Sequence, residues 1–386
     1  MKTHVTPIAT LLALAVAAPA FASDASAATV SKRAIVMVSG GAAITPFTTP
    51  KSACKAGFAA GITHTQIRGF LLSKGYQVFT APAAGSRGKV AEDTGPNGFS
   101  KCPAALPAYM TVNSNGPIEI AGVRVANFVK YLSWKYGIRQ VDFVVHSMGG
   151  LYTRSAIQYM RDTRSPVKVR SLNTLGSPWG GTIFADSPDP TDPRAACDEF
   201  PICLSLLDVF AEDAPDVITE TKLSYITLLH NDNAGVLKRI PVTLIAGDAF
   251  QKPGGVSRVW PNDGIVTAES ALAGPVPDKV INHRRCHLLT GGTHSIYISR
   301  QAGLPDNTGI TWNSQVNGWL LDAIRNSSTA FDQPNRVGCP PASGGDFGTS
   351  GDGGKGGAGG AGGIGGAGGA GGLGGNGGTG GNGGHG

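Results

Sequence analysis

Short apolar runs alternate with segments of helical periodicity along the central part of the chain, from about residue 30 to about residue 340. In the helical segments apolar residues return every three or four positions, most clearly at 118–136, and Gly137 ends that segment. Continuous apolar runs are typical of strands that are buried on both faces. The pattern predicts strands at 34–38, 75–79, 141–145, 167–175 and 240–246, and helices at 65–73, 118–136, 151–160 and 316–324.

This alternation indicates an α/β domain with a mostly parallel, doubly wound sheet. Residues 81–117, between the strand predicted at 75–79 and the helix predicted at 118–136, are rich in Gly and Pro and predict a long loop. Ligands bind sheets of this kind at the carboxyl ends of the strands. Functional residues are therefore expected in the segments that follow strands, which are 39–42, 146–150, 176–181, 248–263 and 283–294.

The two ends of the chain differ from the domain between them. Residues 1–27 combine a basic start, an apolar run at 8–18 and small-residue A-x-A sites, which predicts a secretory signal peptide; an uncleaved N-terminal anchor is the alternative. Residues 344–386 form a Gly-Gly-x repeat that buries too little apolar surface to fold alone. We expect a flexible tail there, with contact to a cell surface or matrix, and a folded domain at 28–343 without a transmembrane segment.

The cysteine content predicts disulfides, and the spacing of Cys and His and the distribution of charge give no sign of a metal or nucleic-acid site. Six cysteines in a chain with a predicted signal peptide favour disulfides, because exported proteins meet an oxidising environment. Sequence proximity favours Cys197–Cys203, and Cys54–Cys102 with Cys286–Cys339 complete one candidate set. No Cys/His spacing indicates zinc, and the positive residues behind the net charge of +6 are scattered. Neither a metal nor a nucleic-acid partner is expected.

The segment VHSMGG at 145–150 places Ser147 where a buried strand meets a helix. A serine displayed at such a turn is typical of a nucleophile elbow. Val145 stands in place of the first glycine of the usual G-x-S-x-G pattern, and we expect Gly149 and Gly150 to supply the room that the turn needs. The alternative is that Ser147 only caps the helix.

A serine nucleophile needs a base, an acid that orients the base, and donors for the oxyanion. We predict these donors to be the main-chain N–H groups of Met148 and of Gly41, the latter in a turn after the first strand that is otherwise an ordinary glycine turn. Asp263, in the turn PNDGIV, is the predicted acid. Asp248, which directly follows the strand at 240–246, is the alternative.

Several histidines compete for the role of base. His294 lies in a loop of small residues that leads into an apolar segment, and it is the predicted base. His287 and His283 lie in a segment that resembles a strand with charged edges, and they are the alternatives. His230 lies farther back in the chain, and His146 is expected to pack against the turn or orient it.

Four motifs carry a family resemblance: IVMVSGG at 35–41, VDFVVHSMGGLYTRSAI at 141–157, SLNTLGSPWGGTIFAD at 171–186 and NDGIV at 262–266. With them the chain resembles secreted bacterial lipases and esterases of the α/β-hydrolase superfamily, and it is similar to the family I true lipases. The resemblance implies an α/β-hydrolase fold and a triad in the chain order Ser147, Asp263, His294. The chain departs from the family at Val145 and at Ser39, where many of these hydrolases have a histidine.

Residues 182–233 are an insertion after the GSPWGG turn, and we predict a lid or cap there. Its apolar part at 201–210 predicts a short amphipathic helix tied by Cys197–Cys203. A mobile lid and a packed cap helix are both open. An apolar lid favours carboxylic esters with fatty acyl chains over peptides or sugars.

The expected activity is that of a secreted serine hydrolase of carboxylic esters, foremost a triacylglycerol lipase or esterase, working through an acyl-enzyme. No cofactor is expected, and the expected partner is a lipid or another apolar ester. Two alternatives stay open. One is an acyltransferase or polyester depolymerase on the same fold, and the other is a non-catalytic surface protein that works through its glycine-rich tail.

Overall fold

The structure is a computed structural model, which describes residues 32–54, 61–85, 90, 102, 105–185, 197, 201–213, 215–232, 234–255 and 259–340. The predicted signal peptide at 1–27 and the glycine-rich tail at 344–386 lie outside the described residues, and the domain boundaries stay predictions.

A parallel sheet of seven strands lies at the centre of the described residues. In chain order, the strands are β1 (Arg33–Val38), β2 (Val78–Thr80), β3 (Ala83–Ala84), β4 (Val112–Asn113), β5 (Gln140–His146), β6 (Lys168–Leu175), β7 (Val242–Gly247), β8 (Arg284–Leu289) and β9 (Arg336–Val337). The large sheet has the order β2-β1-β5-β6-β7-β8-β9, and every neighbouring pair is parallel. Strands β3 and β4 form a small parallel pair of their own.

Helices cover both faces of the large sheet. They are α1 (Gly61–Ser73), α2 (Ile118–Tyr136), α3 (Gly149–Asp162), α4 (Pro201–Asp213), α5 (Pro215–Glu220), α6 (Leu223–Asp232), α7 (Ala268–Ala271), α8 (Ile296–Gln301) and α9 (Ser314–Arg325). Successive strand residues point to opposite sides. On β1, Val36 belongs to the core that contains Phe128 of α2, whereas Ile35 belongs to the core with Ile67 of α1 and Leu320 of α9. The predicted α/β-hydrolase fold is thereby confirmed.

Local sequence signals set several element boundaries. Helix α2 has the predicted bounds, because Gly137 adopts the left-handed conformation (φ +67°) that ends a helix. The long loop expected at 81–117 is a partial error, since β3, β4 and a 3₁₀ turn at Ala108–Met110 lie within it. Strands of two residues are too short to leave a periodic pattern in the sequence.

The described residues of the insertion between β6 and β7 form three helices, α4, α5 and α6, where the sequence predicted one short helix. Pro215 begins α5, as expected for a residue that lacks an N–H group and suits the first helical turn. The carboxylate of Glu220 accepts a 2.6 Å hydrogen bond from the N–H of Ile118, the first residue of α2. Arg154 of α3 donates to the main-chain oxygen of Leu229 in α6 at 2.9 Å. Hydrogen bonds therefore connect α5 and α6, the helices of the predicted lid or cap, to α2 and α3.

Three disulfides link the pairs Cys54–Cys102, Cys197–Cys203 and Cys286–Cys339, which is the candidate set from the sequence. The bridge Cys286–Cys339 joins β8 to the segment that follows β9, at the edge of the sheet. The bridge Cys197–Cys203 links the first turn of α4 to the segment before it. This is the disulfide that the sequence predicted within the insertion. Within the described residues, no helix is both long and apolar enough to cross a bilayer.

Candidate active site

Ser147 occupies a strained turn between β5 and α3. Its φ of +55° lies in the left-handed region, which non-glycine residues enter at a cost of about 1–3 kcal/mol. The turn is fixed from the sheet, because the N–H of Ser147 donates to the main-chain oxygen of Leu175 at 2.9 Å. Ser147 itself is only half-buried. The turn thus displays the serine at the carboxyl end of β5, next to the end of β6.

The room for this turn comes from Gly40 and Gly149. A Cβ atom on Gly40 would stand 2.9 Å from the Oγ of Ser147, and one on Gly149 would stand 2.7 Å from the main-chain oxygen of Val38. Val145, in place of the first motif glycine, is a buried core residue. The expectation that Gly149 and Gly150 alone make room is therefore incomplete. The close approach to Ser147 is made by a glycine in the turn after β1.

His294 and Asp263 form a buried pair. The Nδ1–H group of His294 donates to Oδ2 of Asp263 at 2.8 Å, and the N–H of His294 donates to the main-chain oxygen of Asp263 at 2.7 Å. Oδ1 of Asp263 accepts the N–H groups of Ile265 (3.0 Å) and Val266 (2.8 Å). These bonds fix both the carboxylate and the tautomer of the imidazole.

The opposite nitrogen of this imidazole is available. Nε2 of His294 is buried and has no hydrogen-bond partner among the described residues. With its proton on Nδ1, held by Asp263, the ring presents a lone pair at Nε2. Such an atom can take a proton from a hydroxyl that approaches it.

His146 connects the elbow to the histidine loop. Its Nε2–H group donates to the main-chain oxygen of His294 at 2.9 Å, and the two rings are 4.6 Å apart. The ring of His64, on α1, packs edge-on against His146 at 5.9 Å. Burial, followed by the proximity of His294 and His64, lowers the pKa of His146 well below its usual value. Since His146 directly precedes Ser147, this contact brings the serine turn and the His294 loop to the same edge of the sheet.

Asp248, the alternative acid, serves a loop. Its Oδ1 accepts the N–H of Gly291 at 2.6 Å, and its Oδ2 accepts the side-chain amide of Gln251 at 3.4 Å. This is a loop-capping arrangement, in which the carboxylate accepts one main-chain and one side-chain hydrogen bond. Asp263, and not Asp248, is the carboxylate that the fold brings to His294.

The remaining histidines have other neighbours. His287 lies within β8, and its ring stacks on Trp319 of α9 at 4.6 Å. His283 lies just before β8 and packs against Phe331 at 4.4 Å. His230, in the cap, is fully buried and its Nε2–H donates to a main-chain oxygen at 2.8 Å. None of the three is among the groups that the fold gathers around Asp263 in the described residues.

The predicted oxyanion donors lie beneath the cap. No hydrogen-bond acceptor for the N–H of Gly41 or of Met148 occurs among the described residues. A Cβ on Gly41 would be 3.1 Å from Val217 of α5 and 3.4 Å from the side chain of Met148, so α5 lies directly over this turn. Ser39, in the turn after β1, shares a 2.7 Å hydrogen bond with the hydroxyl of Thr45. This buried hydrogen bond stabilises the turn after β1.

Sequence reasoning missed two contributors to this site. Val217 lies far from Gly41 in the chain, and no local signal marks it as a neighbour. Gly176 appeared only as part of a turn, yet a Cβ there would stand 2.9 Å from Nδ1 of His294 and 3.0 Å from Oδ2 of Asp263. Among the described residues, no group of three or more His, Cys, Asp or Glu side chains is arranged to hold a metal ion.

Comparison with known proteins adds a partial match. The family model described as "Putative serine esterase (DUF676)" matches residues 109–189, which include the Ser147 turn. No curated protein matches the sequence significantly. Over residues 109–189 the chain is thus similar to a serine esterase family.

Solved structures with a similar chain path have low identity. Lipase BlEst2 of Bacillus licheniformis, in its propeptide form, is 18% identical with a TM-score of 0.37, over 62% of this chain and 43% of that lipase. The lin2722 gene product of Listeria innocua is 15% identical with a TM-score of 0.38, over 80% of this chain and 98% of its own. Lipase B of Aspergillus fumigatus is 16% identical with a TM-score of 0.41, over 80% of this chain and 57% of its own. The match thus spans about half the length of the two lipases.

Proposed function

We propose that this protein is a serine hydrolase of carboxylic esters in which Ser147 is the nucleophile, His294 the base and Asp263 the acid. The observation that carries the proposal is the His294 imidazole, bound to buried Asp263 through Nδ1 and unpartnered at Nε2 within the described residues. The left-handed turn at Ser147 and the partial match to a serine esterase family add support.

The reaction proceeds by acyl transfer in two steps. His294 Nε2 takes the proton of Ser147 as its Oγ attacks the ester carbonyl, and Asp263 stabilises the imidazolium that forms. The N–H groups of Gly41 and Met148 stabilise the negative oxygen. His294 returns the proton to the leaving alcohol, and water then releases the acid by the same sequence in reverse.

Esters with apolar acyl groups are the proposed substrates, as in a triacylglycerol lipase or esterase. Val217 on α5 presents an aliphatic side chain over the turn that holds Gly41. An acyl chain in that position exchanges water for aliphatic contacts, which favours apolar substrates. Three disulfides and the predicted signal peptide support secretion.

Hydrolysis of p-nitrophenyl butyrate and palmitate by the full, exported chain tests the proposal. Ser147→Ala and His294→Ala are each expected to lower kcat by about 10⁴-fold or more. His287→Ala, a histidine stacked on Trp319, is the matched control and keeps its rate. Thermal unfolding verifies that each variant is folded. Full activity in Ser147→Ala would contradict the assignment, and the ratio between the two esters distinguishes an esterase from a lipase.

A further inference from the structure

The outer face of α2 carries large apolar side chains that are exposed. Ile120 is 47% exposed and Trp134 is 79% exposed. They are fourteen positions apart on α2, which places them on the same side of the helix. At the rise of an α-helix, this separation corresponds to a ridge of roughly 21 Å.

Two tyrosines extend the ridge. Tyr109 is 59% exposed, and its main-chain oxygen accepts the side-chain amide of Asn127, which lies midway between the two apolar residues of α2. Tyr159 of α3 is 39% exposed. Aromatic side chains at this exposure leave both a ring and a polar tip in contact with solvent.

Two basic side chains that form no ion pair in the described residues lie beside the exposed aromatic rings of α2 and α3. A groove of about 450 Å³ between α2 and α3 is lined by Lys130, Trp134, Arg139 and Tyr159 among others, and none of its described lining residues is acidic. Arg139 donates to the hydroxyl of Ser133. In the described part of the chain, neither Lys130 nor Arg139 forms a salt bridge. The sequence shows scattered positive charges, but the fold collects these two beside the most exposed tryptophan.

The ridge begins at the end of α2 that contacts the cap. Ile120 is two residues from Ile118, whose N–H binds Glu220 of the cap. Glu220 belongs to α5, which carries Val217 over Gly41. The first turn of α2 is therefore shared between the exposed ridge and the cap.

We propose that the α2 face, defined as Tyr109, Ile120, Lys130, Trp134, Arg139 and Tyr159, docks this protein on an anionic phospholipid surface. Tryptophan and tyrosine favour the headgroup level of a bilayer, where a ring meets acyl chains and a polar tip meets water. Lysine and arginine beside them attract lipid phosphates. This binding goes beyond the proposed ester hydrolysis, since it involves none of the triad residues.

Vesicle binding tests the docking face. The full chain with Ser147→Ala, which leaves the lipids intact under the proposed function, is mixed with vesicles of phosphatidylcholine alone or with phosphatidylglycerol, and bound protein is measured by sedimentation. We expect binding to the anionic vesicles that weakens with salt. Adding Trp134→Ala, or Lys130→Glu with Arg139→Gln, should weaken it by about tenfold or more. Phe331→Ala, an aromatic of 40% exposure outside this face, should leave it unchanged.

Two further measurements keep the result interpretable. Tryptophan emission should shift to the blue on vesicle binding, and Trp134→Ala should abolish that shift. In the chain with Ser147 intact, Trp134→Ala should hydrolyse p-nitrophenyl butyrate like the wild type, which separates a docking defect from misfolding or loss of catalysis. Failure to bind anionic vesicles, equal binding by all variants, or binding only to a soluble anionic polysaccharide would overturn the proposal.

Discussion

His146 holds the loop of His294 through its main chain. The Nε2–H group of His146 donates to the carbonyl oxygen of His294 at 2.9 Å, and Ser147 is the next residue in the chain. Burial keeps the pKa of His146 well below its usual value, so the ring stays neutral and adds no positive charge next to His294. This hydrogen bond thus connects the residue before the proposed nucleophile to the main chain of the proposed base.

Replacing His146 separates this hydrogen bond from mere packing. His146→Leu fills the space without a donor, and we expect kcat/KM for p-nitrophenyl butyrate to fall by about tenfold, because a small displacement of the base is costly. His146→Gln offers an amide N–H near the position of Nε2 and should recover most of the rate. Equal rates for both variants would contradict the positioning role.

Gly176 supplies the second prediction. Its φ is +58°, and a Cβ there would stand 2.9 Å from His294 and 3.0 Å from Asp263. Gly176→Ala should displace the pair and lower kcat/KM by about a hundredfold. Gly137→Ala is the matched control, since Gly137 has φ +67° and a Cβ there would meet nothing within 4 Å. The control should lose about 1 kcal/mol of stability and keep its activity. Similar activities for the two variants would show that crowding at Gly176 is harmless.

The histidines show which features of the candidate site can be predicted from the sequence and which cannot. Ser147 and the bounds of α2 follow from local signals, namely a turn between two periodic segments and a glycine stop. The sequence favours His294, which lies in a loop of small residues, but leaves His287, in a segment that resembles a strand with charged edges, open as an alternative base. Parallel pairing of β8 with β7 sets His287 opposite Ile245 within the sheet, whereas His294 follows the strand end. The register that separates them is a tertiary property.

The features that the sequence did not predict depend on contacts between residues that are distant in the chain. The sequence predicted one short helix in the insertion, and the part of it that the structure describes contains three. Val217 and Gly41 meet only because α5 folds back over the turn after β1. Likewise Lys130 and Arg139 flank one groove although the charges are scattered along the chain. Local periodicity carries no record of such contacts.

Buried neutral histidines predict a loss of stability in acid. Burial lowers the pKa of His64 from 6.5 to about 4. The unfolded chain therefore binds a proton at this site between these pH values and the folded chain does not, so stability is present above pH 6.5 and is lost as pH falls. Below about pH 4, this difference in pKa lowers the free energy of unfolding by about 3 kcal/mol. Urea unfolding between pH 7 and pH 4 should show a shallower dependence for His64→Leu than for the wild type, and parallel curves would refute this role.

The buried carboxyl group of Glu220 predicts the opposite dependence of stability on pH. Burial, with Glu119 and Asp216 nearby, raises the pKa of Glu220 from 4.5 to about 7. Its contribution to stability is therefore present below pH 4.5 and is lost as pH rises through 7. Glu220→Gln retains an acceptor for the N–H of Ile118 without the charge, so it should be more stable than the wild type at pH 8 and similar at pH 4.

The alanine variant isolates the hydrogen bond itself. Glu220→Ala leaves the N–H of Ile118 without its acceptor and should cost about 1–2 kcal/mol at pH 5. Urea unfolding of the three proteins at pH 4, 5 and 8 measures both effects. A glutamine variant that is less stable than the wild type at pH 8 would contradict the charge argument.

Covalent labelling of Ser147 tests the central claim most directly. An alkyl phosphonate p-nitrophenyl ester is incubated with the full chain, and the modified peptide is identified by mass spectrometry. The account predicts one phosphonyl group per chain on Ser147, no label in Ser147→Ala, and a labelling rate at least about a thousandfold lower in His294→Ala and Asp263→Asn. Labelling of another residue, or a rate unchanged by the loss of His294, would contradict it.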